Sequence, residues 1–316
     1  MVKSMRQEST TELIPENPLP TGYSEGESAA VVVRSISRDV TTSERTKRGT
    51  RFPWRWSDLW KAPVHDFPVR DHILYQCVRI APESSILEIG PGSGFTAFCL
   101  ARTVRQLTLL DVSEEAVRDL RAKLEHFSNV GFIQGDAAAV SFAEQNYQFD
   151  FVFGLDVFEY VKDAKGCLQN LATTLLPGGQ LFLTYPNASP EVGDGVNYFA
   201  RVEDLEELLG GAGFRSWHIY AVRPTRYAAV VYALLHELPL KLYRKLRRSR
   251  VQDLPQTYES TWAFVYGRKL ERYKFILHSY WALLAGLLWL GGDFFVAEPV
   301  DGSGIVGKQL VIEAWK

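Results

Sequence analysis

Three alternate glycines, Gly90, Gly92 and Gly94, follow the short apolar run 86–89 in the stretch Ile-Leu-Glu-Ile-Gly-Pro-Gly-Ser-Gly. Glycine accepts positive φ and has no Cβ, so the backbone can turn sharply and approach a ligand closely. The mostly apolar segment 95–104 comes next and predicts a helix. The sequence therefore predicts a strand-to-helix turn that seats a ligand against a helix N-terminus.

A carboxylate ends the next apolar run, because Asp111 directly follows the segment 107–110. In a doubly wound sheet such a carboxylate emerges beside the first turn and can accept hydrogen bonds from both ribose hydroxyls of a nucleoside. Any tight strand-to-helix connection can use glycine, so the turn alone is weak support for a ligand. Together the turn and Asp111 predict a cofactor that contains adenosine.

The positions of the glycines narrow the choice of cofactor. A dinucleotide fingerprint requires a sixth-position glycine, but the sixth residue counted from Gly90 is Phe95. A Walker-type phosphate site requires Gly-Lys-Ser or Gly-Lys-Thr, and neither follows the turn. The acidic Glu88 followed by Gly-x-Gly-x-Gly resembles the first motif of the class I S-adenosylmethionine-dependent methyltransferases.

The resemblance extends over about residues 70–220, with further motifs in the order that this family shows. They are the second strand with its ribose-binding acid at Asp111, the third-strand turn 135–137, the fourth strand and its loop 149–161, the turn and fifth strand 175–185, and the last core helix with the entry to strand six at 205–214. Several motifs in register are more specific than one. The resemblance implies S-adenosylmethionine as the cofactor.

The resemblance also implies which residues bind this cofactor. They are Glu88, Gly90, Gly92 and Gly94 at the methionine end, Asp111 at the ribose, Asp136 and Ala137 at the adenine, and Leu155 and Asp156 at the wall beyond strand four, with Pro91 and Val112 completing the set.

The base that would deprotonate the acceptor is not fixed by the sequence. Many members of the family carry Glu-His where this chain has Glu159-Tyr160, and the segment at Asn197 also departs from their pattern. We expect His65 or His72 to act, because segments before the first strand commonly line the substrate pocket in similar enzymes. The remaining candidates are Tyr160, Asp66 and His236.

Strand and helix patterns alternate from about residue 85 to 221, which predicts an α/β fold. We expect a doubly wound, mainly parallel, seven-stranded Rossmann-like sheet with an α-helical insertion before the last strand. The apolar segment 307–314 predicts that last strand, which in this family inserts antiparallel beside the sixth. Ligands of such sheets bind at the carboxyl ends of the strands.

The chain divides into four predicted parts: a flexible leader at 1–50, a methyltransferase core with an N-terminal lid segment at 51–221, a helical insertion at 222–300, and the terminal strand at 301–316. The leader is rich in Ser, Thr, Glu, Arg and Pro. The aromatic cluster 52–60 either forms a lid over the glycine turn or closes the edge of the core.

The predicted insertion contains two apolar segments, 227–235 and 275–292, separated by the basic run 241–250. The second segment is long enough to cross a bilayer. A single crossing would leave the terminal strand on the far side, unable to join the sheet. We therefore favour a lid or membrane-surface element whose basic run meets anionic lipid, with plain packing on the core as the alternative.

Composition excludes several other functions. A net charge of −2 gives no overall attraction to nucleic acid. Three cysteines without Cys-x-x-Cys spacing indicate that the protein resides in the reducing cytosol. The six histidines show no metal-ligand spacing, so we expect no bound metal. The N-terminal residues contain no continuous apolar stretch before a small-residue cleavage site, so we expect no secretory signal. The predicted location is cytoplasmic, with membrane association left open.

These observations predict a methyltransferase that acts on a small, hydrophobic acceptor at oxygen or carbon. Two alternatives share the same fold: an NAD(P)-dependent oxidoreductase, and a non-catalytic scaffold that has kept the cofactor fold.

Overall fold

The computed structural model describes residues 73–74, 77–78, 80–92, 94–142, 147–188, 197–238, 279, 283, 287 and 295–316. The predicted leader, the aromatic cluster 52–60 and the basic run 241–250 lie outside these residues. Predictions about those segments therefore stay predictions.

A single eight-stranded sheet forms the centre of the described residues. Its strands are β1 (Ser85–Ile89), β2 (Gln106–Asp111), β3 (Val130–Gln134), β4 (Phe149–Leu155), β5 (Leu175–Pro186), β6 (Ser216–Pro224), β7 (Phe295–Pro299) and β8 (Gln309–Trp315). The helices are α1 (Phe95–Leu100), α2 (Glu114–Leu124), α3 (Ala164–Thr174), α4 (Val202–Ala212) and α5 (Arg226–Tyr232). A 3₁₀ turn spans Phe158–Tyr160, and a π-helical turn, Ala233–Glu237, continues α5.

The strand order is β3-β2-β1-β4-β5-β8-β6-β7. Strands β1 to β5 pair in parallel, and β8 lies antiparallel between β5 and β6. The order reverses between β1 and β4, which is where open α/β sheets bind their ligands. The predicted α/β fold and the antiparallel insertion of the last strand are confirmed.

The sheet has one strand more than the seven predicted. Strand β7 pairs antiparallel with β6 and lies inside 222–300, the segment predicted to be a helical insertion. Strand β6 runs to Pro224, three residues beyond 221, where the predicted core ends, and this extension provides part of the edge to which β7 pairs. A five-residue strand that ends in proline gave too short a pattern to be recognised in the sequence.

Helices cover both faces of the sheet, which explains why its central strands are almost continuously apolar. On one face, α1 and α2 pack over β1, β2 and β4 through residues such as Phe98 and Leu120. On the other face, α3 and α4 contribute residues such as Leu168 and Leu205. This packing on both sides holds the strands in place, and the strand ends carry the candidate site.

Side-chain caps begin two of these helices close to the carboxyl edge of the sheet. The Ser113 hydroxyl accepts a hydrogen bond from the N–H of Ala116 at the start of α2. The Asp163 carboxylate accepts one from the N–H of Gly166 at the start of α3. Such caps stabilise a helix by about 1 kcal/mol each and fix its first residue.

Candidate functional site

The three glycines form a bend at the carboxyl end of β1. Gly90, Gly92 and Gly94 all have positive φ, at 59°, 54° and 81°. The N–H of Gly90 donates to the carbonyl of Leu110 at 2.9 Å, so the bend is joined directly to the end of β2. The conformation predicted for this turn is the one that the chain adopts.

Two of the three glycines are also required by protein packing. A Cβ at Gly90 would lie 2.3 Å from Cγ2 of Val157, and a Cβ at Gly94 would lie 2.6 Å from Cδ2 of Leu120. On the side where a Cβ would lie, the space at these two positions is filled by protein side chains. The bend is therefore packed from both sides, by the turn after β4 and by helix α2.

Asp111 ends β2 beside this bend and is almost completely buried. Its Oδ1 accepts a hydrogen bond from the N–H of Ser113 at 2.9 Å. Burial raises the pKa of Asp111, while hydrogen bonds from the backbone N–H groups of Ser113 and Val112 act in the opposite direction. Val112 itself is 70% exposed, so an apolar surface adjoins the carboxylate.

The third-strand turn lies next to Asp111, since the N–H of Gly135 donates to the Asp111 carbonyl at 2.9 Å. Asp136 is exposed, and its Oδ1 accepts a hydrogen bond from the N–H of Ala138. The side-chain amide of Asn170, on α3, donates to the carbonyls of Ala137 and Val140, each at 2.8 Å. A neighbouring helix therefore fixes the turn predicted to hold adenine.

The turn after β4 completes this edge of the sheet. Asp156 has φ 52°, and its N–H donates to the carbonyl of Thr184 on β5 at 2.9 Å. Its Oδ1 accepts hydrogen bonds from Thr184 Oγ1 at 3.0 Å and from Gln309 Nε2 at 2.7 Å. The last described strand therefore contributes directly to the predicted wall of the site.

The remaining predicted cofactor residues are buried or partly buried. Glu88 is buried in β1 between Leu109 of β2 and Phe153 of β4, Pro91 is buried in the bend, and Leu155 is partly buried at the end of β4. All the predicted cofactor residues are carried by β1 to β4 and the turns that follow β1 to β4. Their role in binding stays a prediction.

Tyr160 ends the 3₁₀ turn and is 52% exposed. The side-chain amide of Asn197 donates to the carbonyl of Phe158 at 2.8 Å and also to that of Val161. Asn197, which the sequence marks as a departure from the family pattern, therefore holds this turn in place. Tyr160 lies four residues after Asp156, on the same connection.

The other candidate bases are not located by the structure. His65, Asp66 and His72 lie outside the described residues. His236 belongs to the π-helical turn that continues α5. The predicted role of each stays a prediction.

Sequence reasoning missed a buried polar centre at the end of β5. The side-chain amide of Asn187 donates to the carbonyls of Phe199 and Ile305, at 2.8 and 3.1 Å. Its Oδ1 accepts from the hydroxyl of Tyr185 at 2.9 Å and from the N–H of Phe199 at 3.0 Å. The only sequence indication was a polar residue directly after a buried strand, because the groups it joins are distant along the chain.

A family model described as a methyltransferase domain matches residues 87–183. The chain is similar to a ubiquinone biosynthesis O-methyltransferase from Xanthomonas campestris, with 32% identity over 140 residues, or 43% of this chain and 57% of that protein. A protein of the same name from Albidiferax ferrireducens is 28% identical over 200 residues, covering 61% of this chain and 75% of that protein. The chain thus spans little more than half the length of the first of these relatives.

Among solved structures, the chain is similar to a phosphoethanolamine N-methyltransferase 2 from Haemonchus contortus. The TM-score is 0.49 at 16% sequence identity, and the match covers 84% of this chain and 58% of that one.

Proposed function

We propose that this chain, whose residues 87–183 belong to the class I S-adenosylmethionine-dependent methyltransferases, transfers a methyl group to an oxygen atom of a small, hydrophobic acceptor. The observation that carries the proposal is the buried Asp111 carboxylate beside the glycine bend. The relatives described above support oxygen as the methylated atom, since their name specifies O-methylation in ubiquinone biosynthesis. The oxidoreductase and scaffold alternatives receive no support from these relatives.

The side chains at the ends of β2 and β3 are suited to binding an adenosine. A buried carboxylate at a strand end, Asp111, suits two ribose hydroxyls, which are hydrogen-bond donors. The exposed, apolar Val112 follows β2 and Ala137 follows the paired strand β3, so we assign the planar base to this edge of the sheet. The Ala137 backbone is fixed by Asn170, so this part of the edge is formed before a ligand binds.

S-adenosylmethionine would supply a methyl group bound to a positively charged sulfur. The acceptor oxygen displaces this sulfur in line, and the cofactor is released as S-adenosylhomocysteine. The chain's contribution is to hold the sugar through Asp111, to fix the turn at Asp156 beside the glycine bend, and to exclude water. Alignment of this kind supplies a large part of the rate in reactions between two bound molecules.

An acceptor hydroxyl must also lose its proton. We assign this step to His65 or His72, because segments before the first strand commonly line the substrate pocket in similar enzymes and histidine is the side chain most often used as a general base. With acceptor supplied, His65→Ala or His72→Ala should lower the methylation rate by about 100-fold or more and remove the acidic limb of its pH profile. If Tyr160→Phe alone produced this change, the assignment would be wrong.

Replacing Asp111 with alanine tests the cofactor part of the proposal. Asp111→Ala should weaken S-adenosylhomocysteine binding by about 1.5 to 3 kcal/mol, the range for hydrogen bonds to a charged group. Isothermal titration calorimetry measures this change, and the wild type should bind S-adenosylhomocysteine in preference to NADH.

Asp150 provides a matched control. It lies near the amino end of β4, away from the carboxyl ends of the strands that carry Asp111 and the proposed site. Its carboxylate accepts a backbone N–H, that of Ser85, at 2.8 Å, much as Asp111 accepts that of Ser113. Asp150→Ala should lower the melting temperature and leave the affinity of the folded protein unchanged. Equal loss of affinity in both variants, or preference for NADH, would contradict the proposal.

We further propose that helix α5 contacts an anionic lipid surface. Tyr227, Val230, Leu234 and Leu238 are exposed at helical spacing and form an apolar stripe along α5 and its continuation. The sequence that follows, 241–250, carries six basic and no acidic residues. Within the described residues, no helix combines the length and the apolar character needed to cross a bilayer. Such a stripe beside basic residues is typical of surface-bound helices.

Liposome flotation tests this contact. The wild type should float with vesicles of phosphatidylserine and phosphatidylcholine and not with phosphatidylcholine alone. Changing Arg244, Arg247, Arg248 and Arg250 to alanine should abolish flotation, because each basic residue contributes about 1 kcal/mol to the binding free energy at an anionic membrane. Val230→Ser with Leu234→Ser should weaken flotation without changing its dependence on charge. Absence of flotation by the wild type would exclude this contact.

A further inference from the structure

We infer that Gln309 is a positioning residue, which holds the turn at Asp156 against the glycine bend and so sets the shape of the cofactor site. This inference rests on the proposed function for the identity of the ligand. Gln309 begins β8 and was not recognised in the sequence as part of the site.

Two side chains from different strands meet on one oxygen atom of Asp156. Gln309 Nε2 donates to Oδ1 at 2.7 Å, and Thr184 Oγ1 donates to the same atom at 3.0 Å. The backbone N–H of Asp156 donates to the Thr184 carbonyl at 2.9 Å. Asp156 is thus fixed both through its backbone and through its carboxylate.

These contacts hold an unfavourable backbone conformation. Asp156, with φ 52°, is the one non-glycine residue with positive φ among those the structure describes. A residue with a Cβ adopts this region only when its surroundings determine it, and such residues concentrate at functional sites. Removing the Gln309 amide should therefore allow the turn to relax.

The next residue transmits this conformation to the glycine bend. Val157 Cγ2 lies 2.3 Å from the place that a Cβ of Gly90 would occupy, and Cγ1 lies 2.7 Å from that of Gly154. A change of φ at Asp156 would move Val157 relative to both glycines. Contacts therefore connect Gln309, Asp156, Val157 and Gly90 in that order.

The sheet explains why a residue of β8 can reach this turn. Gln309 lies opposite Pro186 of β5 and Val222 of β6, at the end of both antiparallel ladders. On β5, Thr184 lies opposite Leu155, the last residue of β4. The Gln309 side chain therefore extends across the end of β5 to the turn that follows β4.

Two measurements test the role of Gln309, and one needs no cofactor. Hydrogen exchange at the Asp156 N–H reports whether the turn is held, and calorimetry reports the Kd of S-adenosylhomocysteine. Gln309→Ala should accelerate exchange about tenfold and raise Kd about tenfold, as expected for loss of one hydrogen bond to a charged group. Gln169→Ala is the matched control, because its Nε2 makes an exposed contact with the Gly211 carbonyl on another helix.

Exchanging the amide of Gln309 with the carboxylate of Asp156 tests whether Gln309 acts by holding Asp156 in position. Gln309→Glu alone should be more damaging than Gln309→Ala, because it places a second carboxylate beside Asp156. The double variant Gln309→Glu, Asp156→Asn restores a hydrogen bond with donor and acceptor reversed, so it should return the exchange rate to within about threefold of the wild type.

The possible outcomes lead to different conclusions. Faster exchange with a higher Kd in Gln309→Ala, with the exchange rate restored by the exchanged pair, supports the inference. A higher Kd with unchanged exchange would overturn it in favour of direct ligand contact, and faster exchange with unchanged Kd would reduce Gln309 to a structural role. If the wild type bound no S-adenosylhomocysteine, the proposed function would fail, while hydrogen exchange would still show whether Gln309 holds the turn.

Discussion

The two halves of the carboxyl edge are built differently. At β1 to β3, Asp111 accepts the N–H of Ser113 and Asp136 that of Ala138, each two residues away, and Asn170 reaches Ala137 across 33 residues. At β4, β5 and β8, the turns are held by side chains from distant segments. Gln309 reaches Asp156 across 153 residues, and Asn187 reaches Ile305 across 118.

This difference shows where the site depends on the complete fold. The contacts described for the turns of the first half involve no residue beyond Asn170 of α3. The second half requires that β8 and the segment before it have already joined the sheet, because they supply the groups that fix its turns. Damage to long-range contacts should therefore affect the second half first.

The largest expected effect is at Asn187, which belongs to the second half. Asn187→Ala would leave the Tyr185 hydroxyl and two backbone carbonyls without their present partner in a buried position, which should cost roughly 3 to 5 kcal/mol of unfolding free energy. Urea unfolding of the purified variant measures this cost.

Asn170 is the matched control from the first half. Its side-chain amide also donates to two carbonyls, those of Ala137 and Val140, but it is only partly buried. Asn170→Ala should cost about 1 to 2 kcal/mol. If the two variants were equally destabilised, the distinction between the halves would not hold.

An effect smaller than that of Asn187→Ala is expected at Gly90, where the halves meet. Gly90→Ala places a side chain at φ 59° and against Val157, which should cost roughly 2 to 4 kcal/mol. Val157→Ala should recover part of this loss in a double-mutant cycle. It removes Cγ2 of Val157, which would lie 2.3 Å from the new Cβ, and leaves Cβ of residue 157 at 2.9 Å. Strict additivity of the two changes would show that the turn and the bend are independent.

The parts of the fold that depend on local pattern were predictable. The end of β1 at Ile89, the positive φ of the three glycines and the position of Asp111 at a strand end match those expected. Apolar periodicity and glycine conformation are local properties, and a single sequence contains them.

The parts that depend on tertiary contacts were not predictable. Gln309 and Thr184 are ordinary strand residues in the sequence, and only the pairing of β5 with β8 brings them together on Asp156. Strand β7 was missed for a related reason, since it is a strand only because β6 offers it an edge. Asp156 itself was predicted, but not the conformation in which it is held.

The position of β8 has a consequence for biosynthesis. This strand lies between β5 and β6, yet it is translated after both, with β6 ending at Pro224 and β8 beginning at Gln309. A nascent chain that has emerged only as far as β7 therefore has two apolar strands with unpaired inner edges. Chaperone capture or aggregation should concentrate in that interval, and it should end when Trp315 leaves the ribosome.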